Sequence, residues 1–254
     1  MASTSKKMNQ IWEDHFERED FRMKLSNSIL PEYMMNTRWY AAKTQKAKNF
    51  KIEMSMPFAM SDGNTAYFIT IEVNFAAGFT EYYLMNLAWI ADRSQADDAK
   101  GVVKKITLDG QAGFLIDVLY YEPFRKAVYD QILSQKSISD GQTKLIFEKG
   151  NVLRSSPDYV SSQVMGFDQS NTSIEYNGQY FFKVYRRLFQ DANPDLELTK
   201  FLSDGSDFEN CPKYAGSVSW IKNEYATISI GIMQGKIDNI GEAWNHTLEM
   251  MRGY

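Results

Sequence analysis

The stretch Thr65–Phe75, TAYFITIEVNF, constrains this chain more than any other. Tyr67, Ile69, Ile71, Val73 and Phe75 are uniformly apolar and alternate with Ala66, Phe68, Thr70, Glu72 and Asn74. A period of two marks a strand with one face on a core. Ser61-Asp62-Gly63-Asn64 before it and Ala76-Ala77-Gly78 after it read as turns. Ile52–Phe58 and Thr80–Trp89 therefore become its neighbours in an antiparallel sheet with one wet face. The polar run Arg93–Lys100, RSQADDAK, follows as the best candidate boundary in the chain.

The rest of the chain falls around this sheet. Residues 1–10 are polar and read as disordered, with 1–20 as a whole an N-terminal linker. Phe21, Leu25, Ile29 and Tyr33 recur at helical spacing, and Pro31 predicts a split into two short helices. The basic run Lys43–Lys51 reads as a solvated edge. Val102–Leu108 and Ala112–Asp117 form a hairpin through Asp109-Gly110, and Tyr121–Ser134 reads as a helix. Leu145–Glu148 and Val152 are short strand pieces. Tyr214–Trp220 and Ala226–Gly231 form a further pair joined at Lys222-Asn223, and Gly241–Arg252 is a helix. The fold class expected is α+β, divided as 1–20, 21–100 and 101–254.

Bulk properties exclude several functions. With 254 residues and a net charge of −4, the chain is no basic nucleic-acid platform. No apolar run approaches the roughly 20 residues that span a bilayer, and the N-terminus has no apolar signal core. A single cysteine, Cys211, rules out an internal disulfide and fits a reducing, cytoplasmic setting. His15 and His246 lie far apart, without the spacing of a zinc site.

Chemistry concentrates between Met165 and Phe201. Gln169, Ser170, Asn171, Thr172 and Ser173 form a hydroxyl- and amide-rich stretch read as a loop. Such a loop cradles phosphate oxygens or serves as an ordinary Asx/Ser turn between strands. It has no glycine, so it is neither a Walker loop nor a GxGxxG loop. After a turn at Asn177-Gly178, Lys183 sits in an apolar strand, QYFFKVYRR, where it either neutralises phosphate or snorkels past aromatics. Arg186 and Arg187 either join the phosphate contacts or pair with Asp191 and Asp195. Pro194, with Asn193 as cap, opens a helix. Glu197 on that helix is the candidate to hold Lys183, as a helix glutamate does in kinases, with Asp195 competing for the role. Leu198 and Phe201 would supply the helix's core face.

These motifs carry a resemblance. Gly166, Gln169–Ser173, Lys183, Tyr185–Leu188, Asn193-Pro194-Asp195 and Glu197 together resemble the maltokinase family's G-x-(E/D)-QSNTS loop, K-x-(F/Y)-R-(R/K)-L strand and N-P-(D/E)-x-E helix start. Leu30-Pro31-Glu32-Tyr33 with Arg38-Trp39-Tyr40-Ala41-Ala42-Lys43 is similar to the family's N-terminal cap motif. Gly241–Leu248 is similar to the helix that leads into its catalytic lobe. The resemblance spans about residues 24 to 254.

It implies a cap subdomain over 21–100 with an antiparallel sheet. A protein-kinase-like, aminoglycoside-phosphotransferase-like small lobe would follow over 101–254. ATP is the implied cofactor, gripped by Gln169–Ser173 and Lys183, with the adenine beside Met233–Gly235. The implied reaction moves a phosphoryl group from ATP to maltose, in trehalose and glycogen metabolism. The sequence departs from the family in having no HGD-type loop: His246 is followed by Thr247-Leu248. The base, the Mg²⁺ ligands and the maltose site would lie in an absent C-lobe, so the chain is expected to be inactive alone and to have no catalytic residue or metal ligand of its own. Two alternatives stand beside this reading. One is a non-catalytic module that docks a partner such as trehalose synthase through the cap sheet and the Arg38-Trp39 corner. The other is part of a related sugar kinase.

Overall fold

A computed structural model describes residues 2–153, 158–166, 170–191, 193–223, 226–238, 241 and 243–252. The chain opens with α1 (Ala2–Glu17), α2 (Glu19–Lys24), a π-helical turn over Leu25–Ile29 and α3 (Leu30–Asn36). Strands β1 (Ala47–Ala59), β2 (Thr65–Phe75), β3 (Thr80–Ile90), β4 (Val102–Leu108) and β5 (Gln111–Asp117) follow, then α4 (Glu122–Ser134). The next strands are β6 (Ser137–Ser139), β7 (Lys144–Lys149), β8 (Ser162–Val164), β9 (Asn171–Tyr176), β10 (Tyr180–Tyr185) and β11 (Arg187–Leu188). Helix α5 (Pro194–Asp204), strands β12 (Tyr214–Asn223) and β13 (Ala226–Gly235), and α6 (Ala243–Arg252) complete it. The fold is α+β with antiparallel sheets, as expected.

Two sheets organise these elements. The first runs β1-β2-β3-β5-β4, with β11 added against β3, and the second runs β6-β7-β12-β13-β10-β9-β8. The boundary expected at residue 100 does not separate them, because β4 and β5 beyond it belong to the first sheet. Strand β10 lies in the second sheet and β11 in the first, with Arg186 alone between them. The Arg186 carbonyl accepts from Leu84 N–H at 2.8 Å, so the backbone passes from one sheet to the other without leaving a hydrogen-bond partner behind.

One core lies between the N-terminal helices and the first sheet, and holds Trp12, Phe16, Leu25, Tyr67, Ile69 and Tyr83. The other lies between the two sheets, and α4 sends Phe124, Val128 and Ile132 into it. Both faces of β2 are therefore covered. Ala66, Phe68 and Thr70, expected on a wet face, are at most 2% exposed. Thr70 is satisfied there because its hydroxyl accepts from Met54 N–H at 3.1 Å. That bond falls at the register shift between Ile52 and Met54, where a bulge frees a strand N–H from the ladder.

The N-terminus departs from expectation. Residues 2–17, placed in a disordered linker, form α1. Phe16 stacks on Tyr67 with ring centroids 3.7 Å apart, and Trp12 Nε1 donates to the Thr65 carbonyl at 3.0 Å. The apolar signal is confined to Ile11, Trp12 and Phe16, behind a polar first half, so tertiary contact with β2 decides the helix. Pro31 does not split the next helices. It lies in the first turn of α3, directly after the π turn whose Leu30 N–H bonds Leu25. The wider turn gives the proline ring room beside the preceding carbonyls.

Candidate functional site

Lys183 lies on β10 opposite Ser173 of β9 and Ile232 of β13. Side chains opposite one another in a sheet share a face, so Ser173 and Lys183 look the same way, as do Asn171 and Tyr185. Thr172, paired with Val184, looks the other way. The Lys183 face carries α5, and on it Ser173 and Ile232 are buried, at 8% and 0% exposed, while Lys183 reaches solvent. The lysine side chain is 37% exposed, whereas Phe182 and Val184 on the reverse face are buried in the core between the sheets.

Helix α5 supplies the partner. Asn193 caps it, accepting from Asp195 N–H at 3.0 Å, and Pro194 occupies its first turn, as the sequence predicts. Lys183 Nζ donates to Asp195 Oδ2 at 2.8 Å, and the Tyr185 hydroxyl donates to the same oxygen at 3.1 Å. Burial, then the nearby Asp195 charge and the hydrogen bond to it, hold the Tyr185 phenol well above its ordinary range, so it stays a donor. A first-turn position also sets the carboxylate at the positive end of the helix dipole.

Glu197, the residue expected to hold Lys183, is exposed and is replaced in that role by Asp195. The reason is helical phase. At 3.6 residues per turn, two positions place Glu197 roughly 200° around the helix from Asp195. Asp195 and Thr199 lie four apart on the face toward the sheet, where Gln234 Nε2 donates to Thr199 Oγ1 at 3.1 Å. Leu198 and Phe201, expected on the core face, are instead 60% and 62% exposed. Choosing the wrong apolar face selects the wrong acid.

The phosphate-loop expectation also changes. Asn171, Thr172 and Ser173 form the start of β9 rather than a loop. Ser170 is exposed and precedes the strand, and Gln169 lies outside the described residues. Thr172 is 4% exposed and accepts from Arg186 Nε at 2.8 Å, so it is committed to the interior. Neither arginine pairs with Asp191 or Asp195. Arg186 bonds Asp117 at 2.5 Å with both side chains 0% exposed, and Arg187 bonds Glu81 at 2.6 Å. Met233, where the resemblance places the adenine, is itself buried. A second cation joins the Lys183 face, because Lys236 reaches Glu175 at 3.4 Å and lies over the Phe181 ring.

What assembles is a half-exposed lysine held by a carboxylate that a tyrosine in turn bonds, beside a buried serine hydroxyl. Such a group neutralises a bound anion without shifting its own position. Among the described residues, no three His, Cys, Asp or Glu side chains cluster in a way that could hold a metal ion, and no helix is long and apolar enough to cross a membrane.

No protein-family model matches the chain. Among solved structures it is weakly similar to a glucosamine kinase in crystal form A, with a TM-score of 0.46 and 10% identity over 80% of this chain and 38% of that one. It is also similar to glucosamine kinase in complex with glucosamine, ADP and inorganic phosphate. That match has a TM-score of 0.45 and 11% identity over 86% of this chain and 43% of that one. The chain thus spans about two-fifths of the length of these kinases, between 38% and 43%.

Proposed function

We propose that the Lys183 face of the second sheet binds the phosphates of a nucleoside triphosphate, and that the chain is the nucleotide-holding part of a sugar phosphotransferase of the maltokinase kind. The observation that carries the reading is the Lys183–Asp195 ion pair at 2.8 Å, which joins a strand lysine to a carboxylate of the facing helix. Lys183 neutralises phosphate charge, Asp195 and Tyr185 position it, and Ser173 beside it offers a hydroxyl donor. The motif order from Gly166 to Glu197 and the N-terminal cap motif support ATP as the nucleotide and maltose as the acceptor. Magnesium, when bound with the nucleotide, offsets phosphate charge. The described residues offer no clustered ligand set for it, so no step is assigned to the metal.

The test is thermal stability with ATP, with and without Mg²⁺. A ligand that binds only the folded state at 100 times its Kd stabilises by about 2.7 kcal/mol. ATP is expected to raise the melting temperature of the native chain, and Lys183→Ala is expected to abolish the rise. A rise that survives Lys183→Ala would sink the assignment of phosphate binding to this face.

A second reading, a docking module for a protein partner such as trehalose synthase, is favoured by exposed apolar side chains. Leu198 and Phe201 on α5, and Trp244 and Met251 on α6, are 60–70% exposed. Under that reading ATP leaves stability unchanged, and Lys183→Ala is silent.

A further inference from the structure

A cavity of about 750 Å³ lies where α3, the segment 97–103 and strands β8 and β9 meet. Thr172, which lines it, pairs with Val184 and so faces away from Lys183, whereas Asn171, which also lines it, pairs with Tyr185 on the Lys183 face. The cavity therefore meets the lysine face at the start of β9, although neither Lys183 nor Ser173 lines it. Its volume is that of a small-molecule site.

The lining carries little net charge. Five of its charged side chains already stand in three ion pairs, the sixth member being Lys104 outside the lining. Arg125, 1% exposed, bonds Asp97 at 2.5 Å; Lys100 meets Asp98 at 3.8 Å; and Glu32 bonds Lys104. Arg38 and Glu122 remain outside ion pairs among the described residues and oppose each other in sign. The lining charges nearly balance, with Glu32, Asp97, Asp98 and Glu122 against Arg38, Lys100 and Arg125, so the cavity as a whole has little net charge to attract an ion of either sign.

Aromatic surface and neutral polar groups remain. Tyr33, Trp39 and Tyr120 line the cavity together with the amides of Asn36, Gln163 and Asn171. Tyr120 is fixed against Gly101, where a Cβ would come within 2.5 Å of it. The Arg186 guanidinium lies 4.9 Å from the centre of the Trp39 ring and holds it in place. Amides present both donors and acceptors, and a ligand rich in hydroxyls, each donor and acceptor at once, matches them while its C–H faces lie on the aromatic rings.

We infer that this cavity is a binding site for a neutral carbohydrate, adjoining the proposed nucleotide face at the start of β9 but not lined by Lys183. The test is saturation-transfer NMR and calorimetry on the full chain with glucose, trehalose and maltotriose, using inorganic phosphate and spermidine as charged controls. At least one of the three sugars is expected to bind. Asn36→Ala combined with Gln163→Ala, both at exposed positions and so compatible with the native fold, should weaken that sugar by about tenfold or more. Lys183→Ala should leave it unchanged. The site is overturned if none of the three sugars binds, if phosphate or spermidine displaces the sugar, or if Lys183→Ala weakens it while the double variant does not. Because ATP binding is read separately, failure of the nucleotide assignment leaves this result intact, and the reverse also holds.

Discussion

Two cation–aspartate pairs sit three residues apart on one run of chain. At Arg186–Asp117 both side chains are 0% exposed, while at Lys183–Asp195 they are 37% and 36% exposed. The first has every neighbour a structural salt bridge needs: Thr172 accepts from Arg186, Leu119 N–H donates to Asp117, and Trp39 lies against the guanidinium. It stands where the chain crosses from the second sheet to the first, and it fixes that crossing. The second has one carboxylate, one tyrosine and open solvent. A buried pair is finished, whereas a half-open pair can still accept a ligand. Chemistry alone does not distinguish them; burial does.

The sharpest way to break this comparison is to remove the buried acid. Asp117→Ala leaves the Arg186 charge in the interior without its partner, and such a change costs about 3–5 kcal/mol. Urea denaturation should show the loss as a lower midpoint. The double variant Asp117→Leu/Arg186→Met removes both charges and should recover much of it, because well-packed apolar replacements of a buried pair are often neutral. Equal losses in the single and double variants would mean that the pair matters for shape rather than for charge.

The open pair should behave in the opposite way. Lys183→Ala is expected to lower the unfolding free energy from urea denaturation by less than about 1 kcal/mol, since half-exposed pairs contribute little, while removing ATP-dependent stabilisation. Stability loss comparable to that of Asp117→Ala would show that the two pairs are alike, and that the Lys183 face is not a ligand site.

This contrast also explains what could be read from the sequence. Strands with strict alternation and turn signals were legible: β2 and β4 have the limits expected, and Asn177-Gly178 turns with φ of 54° and 67°, a conformation that favours that dipeptide. Lys183, its strand, and the Asn193 cap were legible too. The Arg186–Asp117 pair was not, because 69 residues separate its members and no local pattern links them. The acid that holds Lys183 was misassigned because α5 has two partly apolar faces. Leu196 and Thr199 face inward, against the more hydrophobic pair Leu198 and Phe201, and hydrophobicity alone selects the latter. The wet face expected for the first sheet was filled by the second sheet, which strand periodicity cannot reveal.

An ion pair at the rim between the sheets offers a gentler test. Glu53 of β1 accepts from Lys222 of β12 at 2.8 Å and from Lys51 at 3.0 Å. Lys222 first, then Lys51, hold its carboxyl below the ordinary value of 4.5. The folded state therefore binds this proton less readily than the unfolded one. The contribution to stability is fully present above pH 4.5 and is lost as pH falls through the lower folded value. Urea midpoints should decline between pH 7 and pH 3.5, and Lys222→Ala should shrink the part of the decline due to Glu53 by no more than about 1 kcal/mol, as for other rim pairs. An unchanged decline would place the acid sensitivity elsewhere.

The smallest expected effect is the one that discriminates most finely. Glu197→Gln and Asp195→Asn each remove one negative charge from the first turn of the same helix, so any loss through the helix dipole, about 0.3–1 kcal/mol, is shared. They differ only in phase. Asp195 Oδ2 receives both Lys183 Nζ and the Tyr185 hydroxyl, whereas Glu197 is exposed. Asp195→Asn should therefore weaken ATP-dependent stabilisation, because Lys183 loses the charge that positions it, and Glu197→Gln should leave it within error of the native chain. The reverse result would mean that α5 rotates when nucleotide binds and brings Glu197 to the lysine. Such a rotation would have to break the Gln234–Thr199 hydrogen bond and lift Leu196 off the core between the sheets. Comparing the two variants with and without ATP thus reads the phase of the helix in the bound state.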